Sequence, residues 1–540
     1  MVNIRDWAVE NLKYWDTKGK KVANRNLWLS IPALFLSFAT WAMWGVIIKY
    51  MRDFGFHFGM TEGLTQGTLA YNDALSEINK LLYTLPAIAG LVGATLRIPN
   101  SFLIGVCGGR NVKFVTTALM IIPAVGTGIA LSDVNTSYYF FASMAFFSGF
   151  GGGNFASSMS NISGFFPKRH QGYALGMNAG IGNLGVGVMQ KLIPFVVGFG
   201  IFGAVGSDQI IDGVPFAGLQ NSGWVWVPLL VLSTIGAYFG MNNISSTCPS
   251  LPGTKEGVLK ALYLVFLGLI AAFVATLMLV VLPWENWGLE NAKIWLIVPV
   301  VAFLTIQLMK YASPGALKEN LTQQFKIIKS KHNWIMTTLY VMTFGSFIGF
   351  SFAFPKICQD IFEFTDQTDP SFRNPNAPNY MIWAFIGPII GALARPIGGV
   401  ISDKVNSGAK VTAVSTLVQI VATFAVAYYV MLAKDSATPE VYWWSFFACF
   451  MVLFITTGIG NGSTFRSIPY IFSKAETGPV LGWTSAIAAY GSFLLPNVFG
   501  QQIQAGTPEY ALYGLGLFYI ICLFINWWYY QGPKREFDNP

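Results

Sequence analysis

Gly93-Ala94-Thr95-Leu96-Arg97 and Gly391-Ala392-Leu393-Ala394-Arg395 place an arginine at the end of the same short pattern in two distant apolar runs. Each run is the second in a group of six. In the fifth run of each group, Leu175-Gly176 through Gly185 aligns without gaps to Leu481-Gly482 through Gly491. Likeness in corresponding positions, in the same order, is the mark of a duplicated six-helix unit.

About twenty apolar residues cross a bilayer core as a helix, and the chain holds fourteen candidate runs. The first six lie near 28–49, 79–107, 112–131, 138–163, 172–202 and 224–243. The last six lie near 333–357, 380–402, 411–433, 441–468, 477–499 and 510–531, and two more, 258–282 and 293–311, stand between the groups. The expected organisation is an N-terminal segment 1–27, a six-helix bundle 28–243, a linker 244–332 with two extra spans, a second bundle 333–531 and a tail 532–540. The fold class is therefore an all-α polytopic membrane protein with fourteen predicted spans.

Composition agrees: 54% of the 540 residues are apolar and 11% are charged, which sets the chain apart from soluble domains. The net charge of +8 does not point to nucleic acid, because the bases lie in short connectors, as membrane topology requires. With the N-terminus in the cytoplasm, inner connectors collect Arg110, Lys113, Lys168, Arg169, Lys255, Lys318, Lys329, Lys404, Lys410 and Lys474 among others. Segment 203–223 has no Lys or Arg, and 359–379 sets Asp360, Glu363, Asp366 and Asp369 against Arg373. The positive-inside rule then puts both termini in the cytoplasm of a cell membrane. The first 27 residues lack the short apolar core and cleavage site of a signal peptide, so no cleaved leader is expected. Five scattered cysteines and three histidines support neither a disulfide framework nor a metal site, and no cofactor is expected.

An arginine at mid-bilayer costs about 2.5–3.5 kcal/mol even on the lenient insertion scale, so Arg97 and Arg395 are expected to face the protein interior. The usual partner is a carboxylate, yet none lies centrally in any of the runs. Two guanidinium forks can instead hold a planar oxyanion from solution by bidentate hydrogen bonds; backbone carbonyls or water are the remaining alternative. Asp403 reads as the end of its helix, and Lys191 and Arg466 as snorkelling or end-anchoring residues. Gly176, Gly180, Gly182, Gly185 and Gly187, with Gly482 and Gly491 in the repeat, strip side chains from helix flanks and allow close packing and rocking. Static packing is the plainer account. Asn154, Asn178, Asn183, Asn461 and Tyr340 either tie helices together or touch a ligand, and Phe155 and Phe344 suit a core.

The stretch GFGGGNFASSMSNISGFFPKRHQGYALGMNAGIGNLGV (149–186) resembles the signature of the nitrate/nitrite porters of the major facilitator superfamily. GATLRIP (93–99), LYVMTFGSFIGFS (339–351), GALARPIGGVISDK (391–404) and GNGSTFRSIP (460–469) extend the likeness over both halves. The resemblance implies a major facilitator fold of two six-helix halves, with nitrate and nitrite as substrates and Arg97 and Arg395 gripping the anion. It further implies that Asn183 and Tyr340 help to bind it, while Phe155 and Phe344 cover its flat faces and close the pathway. The two central spans depart from that twelve-helix plan, and the connector GVCGGRNVKF lacks the acidic residue of the superfamily's loop.

Two unpaired cations facing one another resist closure unless an anion joins them. With no buried carboxylate to carry a proton, the expectation is a nitrate/nitrite antiporter; the alternative is a nitrate/proton symporter. Membrane lipid is the surrounding partner and a monomer the expected state. An enzyme would need His, carboxylate or Cys groups clustered within the spans, and a channel would show no counterflow.

Overall fold

The computed structural model describes residues 3–51, 54–65, 68–199, 210–211, 214–215, 218–290, 292–363, 374–538 and 540. Asp366, Asp369 and Arg373, used above for orientation, and the end of the fifth run lie outside the described residues. The long helices are α1 (Leu12–Met51), α2 (Leu69–Asn100), α3 (Gly109–Ala130), α4 (Tyr138–Phe165), α5 (Gln171–Val197), α6 (Asn221–Gly240), α7 (Thr254–Val280), α8 (Lys293–Ala312), α9 (Lys331–Glu363), α10 (Ile386–Val405), α11 (Gly408–Lys434), α12 (Trp443–Ile471), α13 (Lys474–Ala489, continued by Gly491–Gln504) and α14 (Pro508–Tyr530).

Among the described residues, eleven helical segments, covering all of these but α4, α10 and α13, are long and apolar enough to cross a membrane. Of the three exceptions, α4 is rich in glycine and polar residues for a physical reason. From Ser148 to Phe165, α4 is buried on every side, and a helix screened from lipid by neighbouring helices has no need of an apolar surface. Its glycines let backbones meet: a Cβ on Gly152 would lie 2.6 Å from Gly93 Cα, and one on Gly151 would lie 2.3 Å from the Ser37 carbonyl oxygen.

The duplication is visible in the packing. Gly152 of α4 sits on Gly93 of α2, and Gly458 of α12 sits on the Gly391 carbonyl of α10. Gly109 abuts Asn161, as Gly408 abuts Ser467; Gly185 meets the Phe35 carbonyl, as Gly491 meets that of Gly345. These contacts extend the gapless register backward through α4 and α12.

The structure adds three things to the sequence reading. The second span ends at Asn100, not 107, because the chain turns at Ser101 and Phe102 before a short helix, Leu103–Cys107. Both turn residues are buried, so apolar composition runs on through a bend that hydropathy does not register. Residues 3–27 pack onto the first half: Trp7 Nε1 donates to the Gly164 carbonyl at 3.0 Å, and Asn3–Ile4 pair with Asn243–Ile244. Lys113, counted above as a connector charge, is 2% exposed inside the first half, donating to Asn154 Oδ1 at 3.3 Å and Ser158 Oγ at 3.2 Å.

Helices α7 and α8 lie outside the first bundle against α2, where Gly268 fits over Pro99 and Leu96. The short helix Gly315–Gln324 then returns beneath, with Gln324 Nε2 donating to the Phe102 carbonyl at 3.1 Å. Both termini lie at this same end, the second held by Ala409 N donating to the Pro540 carbonyl at 3.0 Å.

Candidate functional site

The two halves meet along two seams, α5 on α10 and α13 on α2 and α4. Each arginine is carried by a seam helix, Arg97 by α2 and Arg395 by α10, and both are fully buried. Each guanidinium carbon lies 4.9 Å from the centre of the Phe344 ring, so the two are no farther apart than twice that distance. No salt bridge among the described residues involves either one. At an effective dielectric near 20, two such cations repel by on the order of 2 kcal/mol.

Their surroundings are unequal. Arg97 Nε donates to the Gly152 carbonyl at 2.8 Å, and Nη1 reaches across the seam to the Ser485 carbonyl at 3.2 Å, leaving Nη2 without a partner. Among the described residues, Arg395 has no hydrogen-bond partner for Nε, Nη1 or Nη2. Aromatic faces supply partial compensation: the Arg97 guanidinium is 4.6 Å from the Phe155 centroid and that of Arg395 is 4.7 Å from Phe347.

Phe155 and Phe344 stack with centroids 5.2 Å apart and planes 5° from parallel. Tyr340 stacks on Phe465 at 4.0 Å and on Phe344 at 5.4 Å, its hydroxyl buried without a partner. A π-helical turn, Val341–Gly345, places Phe344 within this group; such turns gather at functional sites. Asn183 donates to the Ala179 carbonyl of its own helix at 2.6 Å, leaving Oδ1 unpartnered. Among the described residues it makes no hydrogen bond to either arginine or to Tyr340.

The glycines divide between two jobs. A Cβ on Gly180 would lie 2.5 Å from Pro396 Cδ, and Gly176 also faces Arg395 and Pro396, so this flank of α5 runs along the Arg395 helix. Gly182 and Gly185 instead face Leu34 and the Phe35 carbonyl of α1, within one half. Gly482 meets Ser101 across the other seam, while Gly491 packs on Gly345 within the second half.

Arg466 decides between the two sequence readings, snorkelling and end-anchoring, in favour of the second. It is 1% exposed rather than snorkelling; Nε lies 3.4 Å from Asp403 Oδ1, Nη2 donates to Asn406 Oδ1 at 2.7 Å, and its guanidinium carbon is 3.8 Å from the Tyr470 centroid. Asp403 in turn accepts from the Gly172 and Tyr173 amides at 3.2 and 2.9 Å, placing a negative charge on the N-terminus of α5 from the opposite half. Its carboxylate thus pins the seam at the end that carries the chain termini. Asp403→Ala strands Arg466 in the interior, and an uncompensated buried charge of this kind costs about 3–5 kcal/mol. A clear fall in the melting temperature of the detergent-solubilised protein is expected; an unchanged melt would remove the pair from the account of the seam.

Sequence reasoning passed over Phe347, which lies against Arg395, and Phe465, which stacks on Tyr340, because aromatics are abundant throughout the chain and nothing local marks these two.

No protein-family model matches the chain. Its sequence is 33% identical over 563 aligned residues to the nitrate/nitrite transporter NarU of Escherichia coli (strain K12), covering 99% of this chain and 97% of that protein. It is 32% identical over 540 residues to the probable nitrate/nitrite antiporter NarK2 of Thermus thermophilus, again with 99% and 97% covered. The solved structure of the major facilitator proton:xylose symporter XylE superposes with a TM-score of 0.61 at 12% identity, covering 94% of this chain and 96% of that one; this likeness concerns the fold alone. Identity above 30% over nearly the full length of both chains leads to one conclusion: the chain belongs to the nitrate/nitrite transporter family, and it has a major facilitator fold.

Proposed function

We propose that the protein exchanges nitrate for nitrite across a cell membrane by alternating access, as a multi-pass carrier crossing fourteen times with both termini in the cytoplasm. The carrying observation is the pair of buried guanidiniums sharing one aromatic ring without a carboxylate among the described residues, with four of their six nitrogens unpartnered. A small flat anion offers the acceptors those donors lack. Arg97 and Arg395 grip it, with Tyr340 and Asn183 beside it.

Phe155 and Phe344 act as the closing pair. A flat anion between two rings needs roughly 7 Å, twice an ordinary van der Waals spacing, more than the 5.2 Å that separates them here. They must part to admit the anion, and α5 sliding on α10 supplies the motion. Residues 28–243 and 333–531 are the rocking halves of a monomer, and α7 and α8 ride with the first half.

Exchange follows from the charge. An empty carrier must bring two cations together unscreened, whereas a loaded one has the anion between them. Vesicles loaded with nitrite should take up labelled nitrate more than about tenfold faster than unloaded ones, the factor expected from a barrier on the order of 2 kcal/mol. Uptake that is equally fast without internal nitrite and follows a pH gradient would replace exchange with proton symport.

A further inference from the structure

Asn461 is 2% exposed, and neither its amide nitrogen nor its amide oxygen has a hydrogen-bond partner among the described residues. A buried amide with both ends uncommitted costs free energy in the folded protein unless something else completes it.

Its position shows what that something is. On α12, Gly458 and Gly462 bracket it and pack on the carbonyls of Gly391 and Arg395. Phe454 and Phe465 lie on the same stripe of the helix, seven residues before and four after. Phe454 contacts Phe347, the ring beneath the Arg395 guanidinium, and Phe465 contacts Tyr340. Asn461 therefore lies on α12 between Phe454, which reaches the ring beneath Arg395, and Phe465, which reaches Tyr340.

The duplication agrees. The register that pairs Gly152 with Gly458 and Asn161 with Ser467 sets Asn461 where the first half has Phe155, the ring 4.6 Å from Arg97. At this point the second half offers an amide in place of a ring, next in the chain to the Gly462 that packs on the Arg395 carbonyl.

The donors can then be assigned. Arg97 has one free nitrogen and Arg395 three. Two forks on opposite sides of the anion engage the two oxygens that nitrate and nitrite share. Nitrate carries a third oxygen; nitrite has a nitrogen lone pair there. We propose that the Asn461 amide donates to the third oxygen of nitrate and makes the central site prefer nitrate to nitrite. This rests on the reading of that site as a nitrate/nitrite site, and it adds the group that tells the two anions apart.

The test is anion-dependent thermal stabilisation of the purified full-length protein, titrated with sodium nitrate and with sodium nitrite, for the parent, Asn461→Ala and Asn461→Ser. Losing one charge-assisted hydrogen bond is expected to weaken nitrate binding by about tenfold or more, while nitrite binding changes less than about twofold, since that bond is absent with nitrite. Without anion, Asn461→Ala should melt no lower than the parent, because it removes an unsatisfied buried amide. An anion-free melt that falls for both variants would identify Asn461 as a helix-packing residue and overturn the proposal. Equal weakening for both anions, or none for either, would overturn it too. If the parent responds to neither anion, the reading of the site itself falls; if it responds and Arg395→Lys abolishes the response while Asn461→Ala keeps the nitrate-to-nitrite ratio, only the role of Asn461 fails.

Discussion

Arg395→Lys should reduce nitrate affinity and exchange a hundredfold or more, measured as counterflow in vesicles and as nitrate-induced stabilisation. Arg395 has no partner among the described residues for any of its three guanidinium nitrogens, so its donors are free for the anion. Two charge-assisted hydrogen bonds at about 1.5–3 kcal/mol each set that factor. Lysine keeps the charge but offers a single ammonium on a flexible stem, without the planar fork. Arg97→Lys should fail in a second way as well. It also leaves the Gly152 and Ser485 carbonyls without the donors they have now, so the anion-free protein should melt lower, which Arg395→Lys should not cause. Near-parental exchange in either variant would remove the arginine pair from the mechanism, and matching melts would remove the distinction between them.

Gly399→Val should stop exchange while sparing anion binding. A Cβ at Gly399 would lie 2.0 Å from the Gly172 carbonyl oxygen across the seam, a distance at which the helices must separate. Overpacking costs typically about 1–3 kcal/mol, and here opening the seam relieves it. The variant is therefore held open at the end that carries the termini. Exchange, which needs both ends to close in turn, should fall more than about tenfold, the factor set by 1.4 kcal/mol or more of closing free energy, with nitrate-induced stabilisation kept within a few fold. Parental exchange would show that this contact need not close during transport.

Much of this arrangement was legible in the residues because membrane spans are governed by one strong constraint. A helix in lipid must be long and apolar, and a lone arginine within it must face inward, so Arg97 and Arg395 stood out without a structure. The bend at Ser101 and Phe102 did not, because a turn buried in protein keeps the apolar composition of the helix before it. Which of the two readings of Arg466 holds was hidden for a related reason: its partner Asp403 lies on a different helix, and whether a charge near a helix end reaches for water or for a carboxylate depends on which helix packs beside it. The roles of individual glycines were equally hidden. Gly176 and Gly182 look alike in sequence, yet one faces Arg395 and the other Leu34.

Composition and repeat thus determined the all-helical membrane architecture, its two related halves and the two interior arginines, since lipid imposes its demands residue by residue along the chain. The tertiary structure decided which groups surround the arginines, that Arg97 is tethered and Arg395 is not, and that Asn461 stands where the first half has Phe155. Those facts depend on distances between helices far apart in the chain, and no local rule of hydropathy or spacing carries them.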